Sequence, residues 1–585
     1  MIEFDAPIDN YKSYFSDAHQ KLVVETFDDL LRQSGVNEDE NIQTVAALRG
    51  LETDHGRGSS SRSKWKFLRF TVFVVVAALV IFPFIQKGLF FLLLLPAIGL
   101  VALLLKRINP EISKLNALLS ELSLQVTQKT DEAWKQVAPL NALYTWSLAP
   151  KLMQKTFPSF VFDRYLSADR LNDLQQNYGL SPEFNNGMSL LAAQSGAFKG
   201  NPFVLARYKQ HWMGDRTYSG FLVIQWVEQV QDEEGDWYDQ VQTQTLTASV
   251  TKPFPEYQVV SKLIFGHETA PNLTFSRQPS KLSASNSGSV NQKKVDRTIK
   301  KVERQARKGI KSGNSELTVM SNREFEALFK AIDRDNEIEF RLLFTPLAQQ
   351  EMVELLNDNT VGYGDDFAFE KYGSLNLLES FHLANTKFDD DPRMFQSLEL
   401  KEARRFFTGF HQEYFRSIYF AFAPLLTIPL YRDPRSTFDH SSVPANAPCS
   451  DWENEVMANY MGEDKFKHPE SVTENIVRAY SRTSETSTNL VDVVGHGYAG
   501  IPQVDFITVL GGDGNLHAVP VEWIEYIPVN QQTTLIVGAI KNSNLDMADT
   551  ENSDMRNTWE SGSQSQGINS ENVFVRNGIA AAIVG

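Results

Sequence analysis

Two stretches of the chain, Tyr218–Val230 (YSGFLVIQWVEQV) and Val241–Val250 (VQTQTLTASV), follow a period of two residues. This period predicts β-strands with one face toward a core. Phe203–Trp212 before them and Tyr257–Phe265 after them have the same character, and the acidic loop at 232–237 separates the two central stretches. The sequence therefore predicts an antiparallel meander in an α+β protein, a fold class in which sheets and helices occupy separate regions.

A second β-rich unit is predicted from about residue 489 to 540. Within it, Gly495–Gly500 matches the GxGxxG pattern of dinucleotide-binding loops. That pattern requires a following helix, whose N-terminus meets the pyrophosphate, and here Ile501-Pro502 leads into another strand-like stretch. We therefore interpret Gly495–Gly500 as a turn between antiparallel strands, and Gly511–Asn515 (GGDGN) as a hairpin turn.

Between these units the pattern predicts a helix at 322–332, a strand at 337–344 and a helix at 346–358. A long helix follows around Leu398–Tyr419. The uncharged stretch 417–431 is interrupted by two prolines, and we interpret it as a helix end plus a buried strand rather than a membrane span; contact with a membrane remains the alternative.

Composition limits the possible classes of protein. The chain has 585 residues, a mass of 66.1 kDa, a net charge of -16 and a mean hydropathy of -0.29. The single cysteine, Cys449, excludes a disulfide framework and cysteine-rich metal modules. The acidic balance argues against a nucleic-acid-binding protein, so no nucleic acid is expected as a partner.

Two uncharged runs, Phe70–Ile85 and Gly88–Leu105, predict a transmembrane hairpin of two helices over residues 67–106. At 1.5 Å per residue they span about 24 and 27 Å, against roughly 30 Å of hydrocarbon. Basic residues flank both ends while Lys87 alone lies at the turn, so the positive-inside rule places both termini in the cytoplasm. The prediction is a two-pass protein of the bacterial inner cell membrane; a buried hairpin or a re-entrant loop is the alternative.

A helix predicted over residues 109–148 carries apolar residues at coiled-coil spacing: Ile112, Leu115, Leu119, Leu122 and Val126. This seam either forms a homo-oligomer or packs within the chain.

The predicted organisation is a helical segment at 1–56, a basic linker at 57–66, the hairpin at 67–106, the long helix at 109–148, a β-rich domain at 150–282, a linker with a basic helix at 283–316, an α+β domain at 317–440, a β-rich domain at 451–540, a disordered acidic tail at 541–572 and an apolar segment at 573–585.

The segment Lys293–Lys311 is a basic amphipathic helix at 100° per residue. Its apolar residues fall within an arc of about 80°, and nine basic residues lie on the opposite side: Lys293, Lys294, Arg297, Lys300, Lys301, Arg304, Arg307, Lys308 and Lys311. Its net charge of +7 leaves -23 for the rest of the chain. The hypothesis is docking on the anionic headgroups of a lipid bilayer. A solvated helix resting on its own domain, or binding to nucleic acid or an acidic partner, are the alternatives.

No residue pattern in the sequence indicates a catalytic, cofactor-binding or metal-binding site. The sequence lacks the phosphate-loop, zinc-protease and nucleophile-elbow motifs, so we assign no catalytic, cofactor-binding or metal-binding residue and expect no cofactor. We predict a membrane-anchored protein that binds or scaffolds unknown protein partners at the cytoplasmic face. The alternative is a membrane-tethered enzyme whose active site is not recognisable from sequence.

The segment from Leu317 onward resembles a bacterial family of two-span membrane proteins catalogued as domain of unknown function 3137. The corresponding positions are Ser321, which is one residue out of register, Phe325, Phe329, Arg341 and Phe344–Pro346, where the family has Leu-Thr-Pro. The resemblance implies a membrane hairpin followed by an α+β cytoplasmic domain, and implies no known reaction or catalytic residue. The chain extends beyond the family pattern from about residue 390.

Overall fold

A computed structural model of the chain describes residues 6–85, 94–231, 234–290, 292–312, 317–386, 390–433, 447–482, 488–539 and 573–584. The predicted acidic tail at 541–572 lies outside the described residues. The chain divides into two compact units. The first contains residues 1–22, 146–390 and 411–585, and the second contains residues 23–145 and 391–410.

The helices and strands occur in the following order. The α-helices are α1 Pro7–Asn10, α2 Ser16–Ser34, α3 Glu38–Ile85, α4 Leu94–Leu103, α5 Asn109–Asn141, α6 Leu148–Thr156, α7 Ala168–Tyr178, α8 Ala284–Ser287, α9 Gln292–Ser312, α10 Arg323–Phe329, α11 Glu337–Leu343, α12 Pro346–Asn357, α13 His382–Asn385, α14 Leu400–Leu426 and α15 Asp451–Gly462. The strands are β1 Phe160–Phe162, β2 Met188–Phe198, β3 Asn201–Gln231, β4 Trp237–Gly266, β5 Thr274–Arg277, β6 Phe367–Tyr372, β7 Leu375–Ser380, β8 Ile476–Ser481, β9 Thr488–Leu510, β10 Leu516–Ala539, β11 Val573–Arg576 and β12 Ile579–Ile583. Short π-helical or 3₁₀ turns are Tyr11–Phe15, Leu104–Ile108, Pro392–Phe395, Pro429–Arg432 and Glu463–Phe466.

The first unit is built on a seven-stranded antiparallel sheet in the order β1-β2-β3-β4-β7-β6-β5. The predicted meander is present as β2, β3 and β4, so the α+β character of the predicted fold class is correct. Strands β6 and β7 join this sheet beside β4, so one sheet takes strands from the predicted domains at 150–282 and 317–440. Its core includes the buried side chains of Leu190, Tyr208 and Ile264.

A second sheet of the first unit has the order β11-β12-β10-β9-β8. The predicted turn at Gly511–Asn515 connects β9 to β10. The GxGxxG pattern lies inside β9 rather than in a turn. A Cβ added at Gly495 would lie 1.9 Å from the backbone oxygen of Phe466, so close backbone approach explains this glycine. The C-terminal apolar segment docks onto this sheet as β11 and β12.

Helix α15 carries two carboxylates into the interior of the first unit. Glu453 forms an ion pair with Arg576 of β11, and both side chains are buried. Glu455 accepts a hydrogen bond from the backbone N–H of Leu190 in β2 at 3.2 Å and pairs with Arg478 of β8 at 2.7 Å. Because Glu455 contacts β2 of one sheet and β8 of the other, α15 connects the two sheets.

The second unit is dominated by α3 and α5, which pack along one another. Helix α3 is capped at its N-terminus, since the side-chain oxygen of Asn37 accepts a hydrogen bond from the backbone N–H of Glu40 at 3.3 Å. The seam residue Leu119 is buried, and a Cβ at Gly58 would lie 3.1 Å from it. The seam therefore contributes to packing within the chain. The stretch predicted as a linker at 57–66 is helical and lies within α3.

The predicted transmembrane hairpin over residues 67–106 is the main correction. Among the described residues, no helix is long and apolar enough to cross a membrane. Val72, Ile108 and Ile112 instead form a buried cluster between helices. Residues 86–93, which include the predicted turn at Lys87, lie outside the described residues. The predicted transmembrane hairpin and two-pass inner-membrane placement are thus wrong.

Two local predictions also differ from the structure. Residues 337–343 form α11 rather than a strand, because the side chain of Asn336 caps the N–H of Glu339 at 3.0 Å. The uncharged stretch 417–431 is buried except at Pro429 and Leu430, which are half-buried. It forms the end of α14 and a 3₁₀ turn from Pro429 to Arg432 rather than a strand.

Candidate functional site

The predicted basic helix forms α9, and its apolar stripe is used inside the chain. Val295 and Ile299 are buried against Ala327 of α10. One to two turns further on, Val302 and Ala306 are buried in a cluster with Leu317. The stripe therefore rests on its own domain, which was one of the alternatives at the sequence level, and this contact fixes which side of α9 faces outward.

All nine predicted site residues lie on the outward side of α9. Their side chains are exposed: Lys293, Lys294, Arg297, Lys300, Lys301, Arg304, Arg307, Lys308 and Lys311. They occupy an arc of about 140° on the helix, and between Lys293 and Lys311 every position in that arc is Lys or Arg. We call these nine side chains the basic face. At 1.5 Å per residue it is about 27 Å long.

The two acidic residues of α9 lie at the border of the basic face. Asp296 and Glu303 approach Arg323 of α10 at 3.7 and 3.8 Å. Arg323 thus partly offsets both carboxylates and adds a further cation beside the helix. The basic face therefore forms a continuous cationic strip on an otherwise acidic chain.

One cleft of the first unit contains groups that resemble catalytic ones. His382 stacks on Tyr363 with ring centroids 3.8 Å apart, and its Nδ1 lies 2.8 Å from Asp366. Its Nε2 lies 3.0 Å from the backbone oxygen of Ser417. Both imidazole nitrogens thus face acceptors, and neither points at open space for a substrate. The cleft encloses about 10 Å³, which is room for about one water molecule. We interpret these contacts as structural.

Metal binding and buried nucleophiles add no further candidate. Within the described ranges, no group of three or more His, Cys, Asp and Glu side chains could hold a metal ion. Cys449 is buried, and burial raises the pKa of its thiol, which disfavours the reactive thiolate. Lys371 is also buried, and its ammonium group donates to the backbone oxygens of Thr269 and Gly373.

Sequence reasoning missed a second exposed feature, which we call the arm: residues 211–231, 234–257 and 499–527. It consists of the β3–β4 hairpin and the β9–β10 hairpin, packed face to face. Ile224, Leu246 and Val519 are buried between them. The approach is close, since a Cβ at Gly220 would lie 1.9 Å from the backbone oxygen of Pro520. The signal available in the sequence was the unusual length of the alternating pattern.

Comparison with known proteins gives no further guide. No protein-family model, curated protein or solved structure matches the chain. The resemblance around Leu317–Pro346 therefore stays a prediction. Locally its residues are structural: Phe325 and Phe329 are buried and stacked at 5.0 Å, and Thr345 caps the helix that begins at Pro346.

Proposed function

We propose that the chain is a binding protein that docks on anionic lipid headgroups through the basic face of α9. The observation that carries the proposal is the arrangement of this helix: its apolar stripe is buried on its own domain, while all nine basic side chains are exposed. Packing of α9 on its own domain requires only the apolar stripe and does not require nine exposed cations. The enzyme alternative has no specific observation in its favour.

The composition of the basic face favours lipid headgroups over nucleic acid. Six of its nine residues are lysines, which act as hydrated point charges, whereas arginine gives the bidentate contacts used to recognise individual phosphates or bases. The face contains no aromatic side chain on which a base would stack and no Asn or Gln that would read a base edge. A lipid surface offers diffuse negative charge and requires neither.

The expected mode of docking is electrostatic. Basic residues near an anionic surface contribute about 1 kcal/mol each, and the contribution falls off within a Debye length of roughly 10 Å. Because the apolar stripe of α9 is occupied by its own domain, binding should not require insertion of this helix into the hydrocarbon. The negative charge on the rest of the chain should orient the molecule so that the basic face meets the lipid.

Charge reversal tests the proposal. The full chain with Lys300, Lys301, Arg304 and Arg307 changed to Glu should lose sedimentation with vesicles of phosphatidylcholine and phosphatidylglycerol. The matched control reverses four exposed lysines outside α9 (Lys151, Lys281, Lys401 and Lys465) and so has the same net charge. The control should still bind more than tenfold better than the α9 variant.

Two further comparisons complete this test. Vesicles of phosphatidylcholine alone, or half-molar salt, should abolish binding of the unmodified chain. Equal sedimentation of the α9 variant and the unmodified chain would rule the proposal out, as would equal losses in the α9 variant and the control. Thermal unfolding of all three proteins should coincide, because every replaced side chain is exposed.

A further inference from the structure

Between Asp215 and Asp239, the outer side of the β3–β4 hairpin on the arm carries no charge. Every second cross-strand pair from Thr217–Thr251 to Val227–Val241 points outward. These six pairs contribute twelve side chains, and every one of them is exposed. We call them the uncharged face: Thr217, Ser219, Phe221, Val223, Gln225 and Val227 from β3, with Val241, Thr243, Thr245, Thr247, Ser249 and Thr251 from β4. The opposite side of the same hairpin packs on the β9–β10 hairpin.

An exposed sheet face without charge is unusual, since exposed sheet surfaces ordinarily interleave Lys, Arg, Glu and Asp with other polar residues. This face instead exposes Phe221, Val223, Val227 and Val241 between threonines. Threonine and valine are β-branched and stiff at χ1, so such a surface is flat and loses little side-chain entropy when covered. These properties fit a surface that packs on another β-surface.

We propose that the uncharged faces of two copies of this chain pack on each other about a twofold axis. The chain has a net charge of -16, so most of its surface repels a second copy. The twelve residues of the uncharged face add no charge to that repulsion, and the nearest charges on the same side, Asp215 and Asp239, lie beyond its two ends. A twofold axis in the contact plane brings residues near the middle of the face, such as Val223 and Thr245, close to their own counterparts.

The size of the face sets the strength of the expected dimer. Eleven residues along each strand give a length of about 36 Å, and two strands give a width of roughly 10 Å. The contact therefore covers about 700 Å² counted over both copies, below the 1,200–2,000 Å² of a standard stable interface. We expect a weak, concentration-dependent dimer with a dissociation constant in the micromolar to millimolar range.

The predicted coiled-coil seam is a different surface. Leu119 and Ile112 of the seam are buried within the second unit, and Leu119 faces Gly58 of α3. The dimer proposed here uses the arm of the first unit, so it is independent of that seam. It is also independent of the basic face, so failure of lipid docking would leave it intact.

Sedimentation velocity of the full chain, from low micromolar to several hundred micromolar, tests the dimer. The unmodified chain should shift from monomer toward dimer across this range. Thr245→Lys places two like charges at the centre of the contact and should hold the chain as a monomer at every concentration. The control is Thr508→Lys, an exposed threonine on the β9–β10 side of the same arm, which should still dimerise.

Crosslinking gives a second readout. Cys449 is buried, so a thiol placed on the surface is the accessible one. With a short bismaleimide, Thr245→Cys should yield covalent dimer in at least tenfold excess over Thr508→Cys. A chain that stays monomeric throughout the concentration series would overturn the proposal. Loss of dimer in Thr508→Lys to the same extent as in Thr245→Lys, or equal crosslinking at both positions, would place the contact elsewhere and would also overturn it.

Discussion

Replacing Arg576 by alanine is expected to lower the free energy of unfolding by about 3–5 kcal/mol near neutral pH. Arg576 is the ion-pair partner of Glu453, and both side chains are buried. Glu453 also accepts a hydrogen bond from the N–H of Leu166 at 3.0 Å, which holds it in place when Arg576 is gone. The variant would thus retain a carboxylate in the interior without its cation. Urea unfolding measures the loss.

The pH dependence identifies the cause. Burial raises the pKa of Glu453, and Arg576 opposes that rise, so removing Arg576 should raise the pKa further. A group whose pKa is raised by folding contributes stability that is present at low pH and is lost as the pH rises. The loss in free energy of unfolding caused by Arg576→Ala should therefore be larger at pH 8 than at pH 5. Adding Glu453→Gln, which removes the buried charge, should recover part of it.

The matched control is Arg482, which forms an exposed ion pair with Asp492 in the same sheet region. Arg482→Ala should cause no measurable change, because exposed ion pairs contribute little. A deficit of Arg576→Ala that is below about 1 kcal/mol, or that does not vary with pH, would show that α15 does not depend on this buried pair.

Replacing Lys371 by methionine is expected to raise stability at neutral and lower pH by about 2–3 kcal/mol. Lys371 is fully buried in β6, and burial lowers the pKa of its ammonium group to about 7. A depression of this size from the ordinary value of 10.5 costs roughly 4–5 kcal/mol when the group is charged. The methionine variant avoids that cost but loses the hydrogen bonds to Thr269 and Gly373.

The direction in which stability changes with pH follows from proton binding to Lys371. Between about pH 7 and 10.5 the unfolded chain holds the Lys371 proton more tightly than the folded chain does. Stability from this group therefore rises with pH across that window, by about 1.4 kcal/mol for each pH unit. Urea unfolding at pH 7.5 and pH 9 should show the difference between the unmodified chain and Lys371→Met shrinking as the pH rises. Lys401→Met, at an exposed site on α14, should track the unmodified chain. A difference that stays constant or grows would contradict this interpretation.

Local sequence signals account for much of the secondary structure. Gly35 ends α2 in the left-handed conformation, Asn37 caps α3, and GGDGN at Gly511–Asn515 forms the β9–β10 turn. These features depend on neighbouring residues only. The helix at 57–66 was missed because its Gly and Ser residues favour a flexible chain, whereas packing against α5 stabilises a helix there. The strand predicted at 337–344 was wrong because the cap at Asn336 was overlooked.

The candidate site was predictable in part. The period of 3.6 in α9 separated the basic face from the apolar stripe, and the structure keeps that separation. The sequence did not show what covers the stripe, because Ala327 and Leu317 belong to segments beyond α9. The uncharged face was hidden for a related reason: alternation predicts two faces of a strand, but only the contact with the β9–β10 hairpin shows which face is outward.

Resonance energy transfer from α9 to labelled lipid tests the central claim most directly. A donor dye attached to Gln305→Cys lies beside the basic face, and a donor on Thr508→Cys lies on the arm. With acceptor dye in the headgroups of vesicles containing phosphatidylglycerol, transfer should be strong from Gln305→Cys, weaker from Thr508→Cys, and lost from both in half-molar salt. Equal transfer from both sites, or none from Gln305→Cys while the protein sediments with the vesicles, would contradict docking through the basic face.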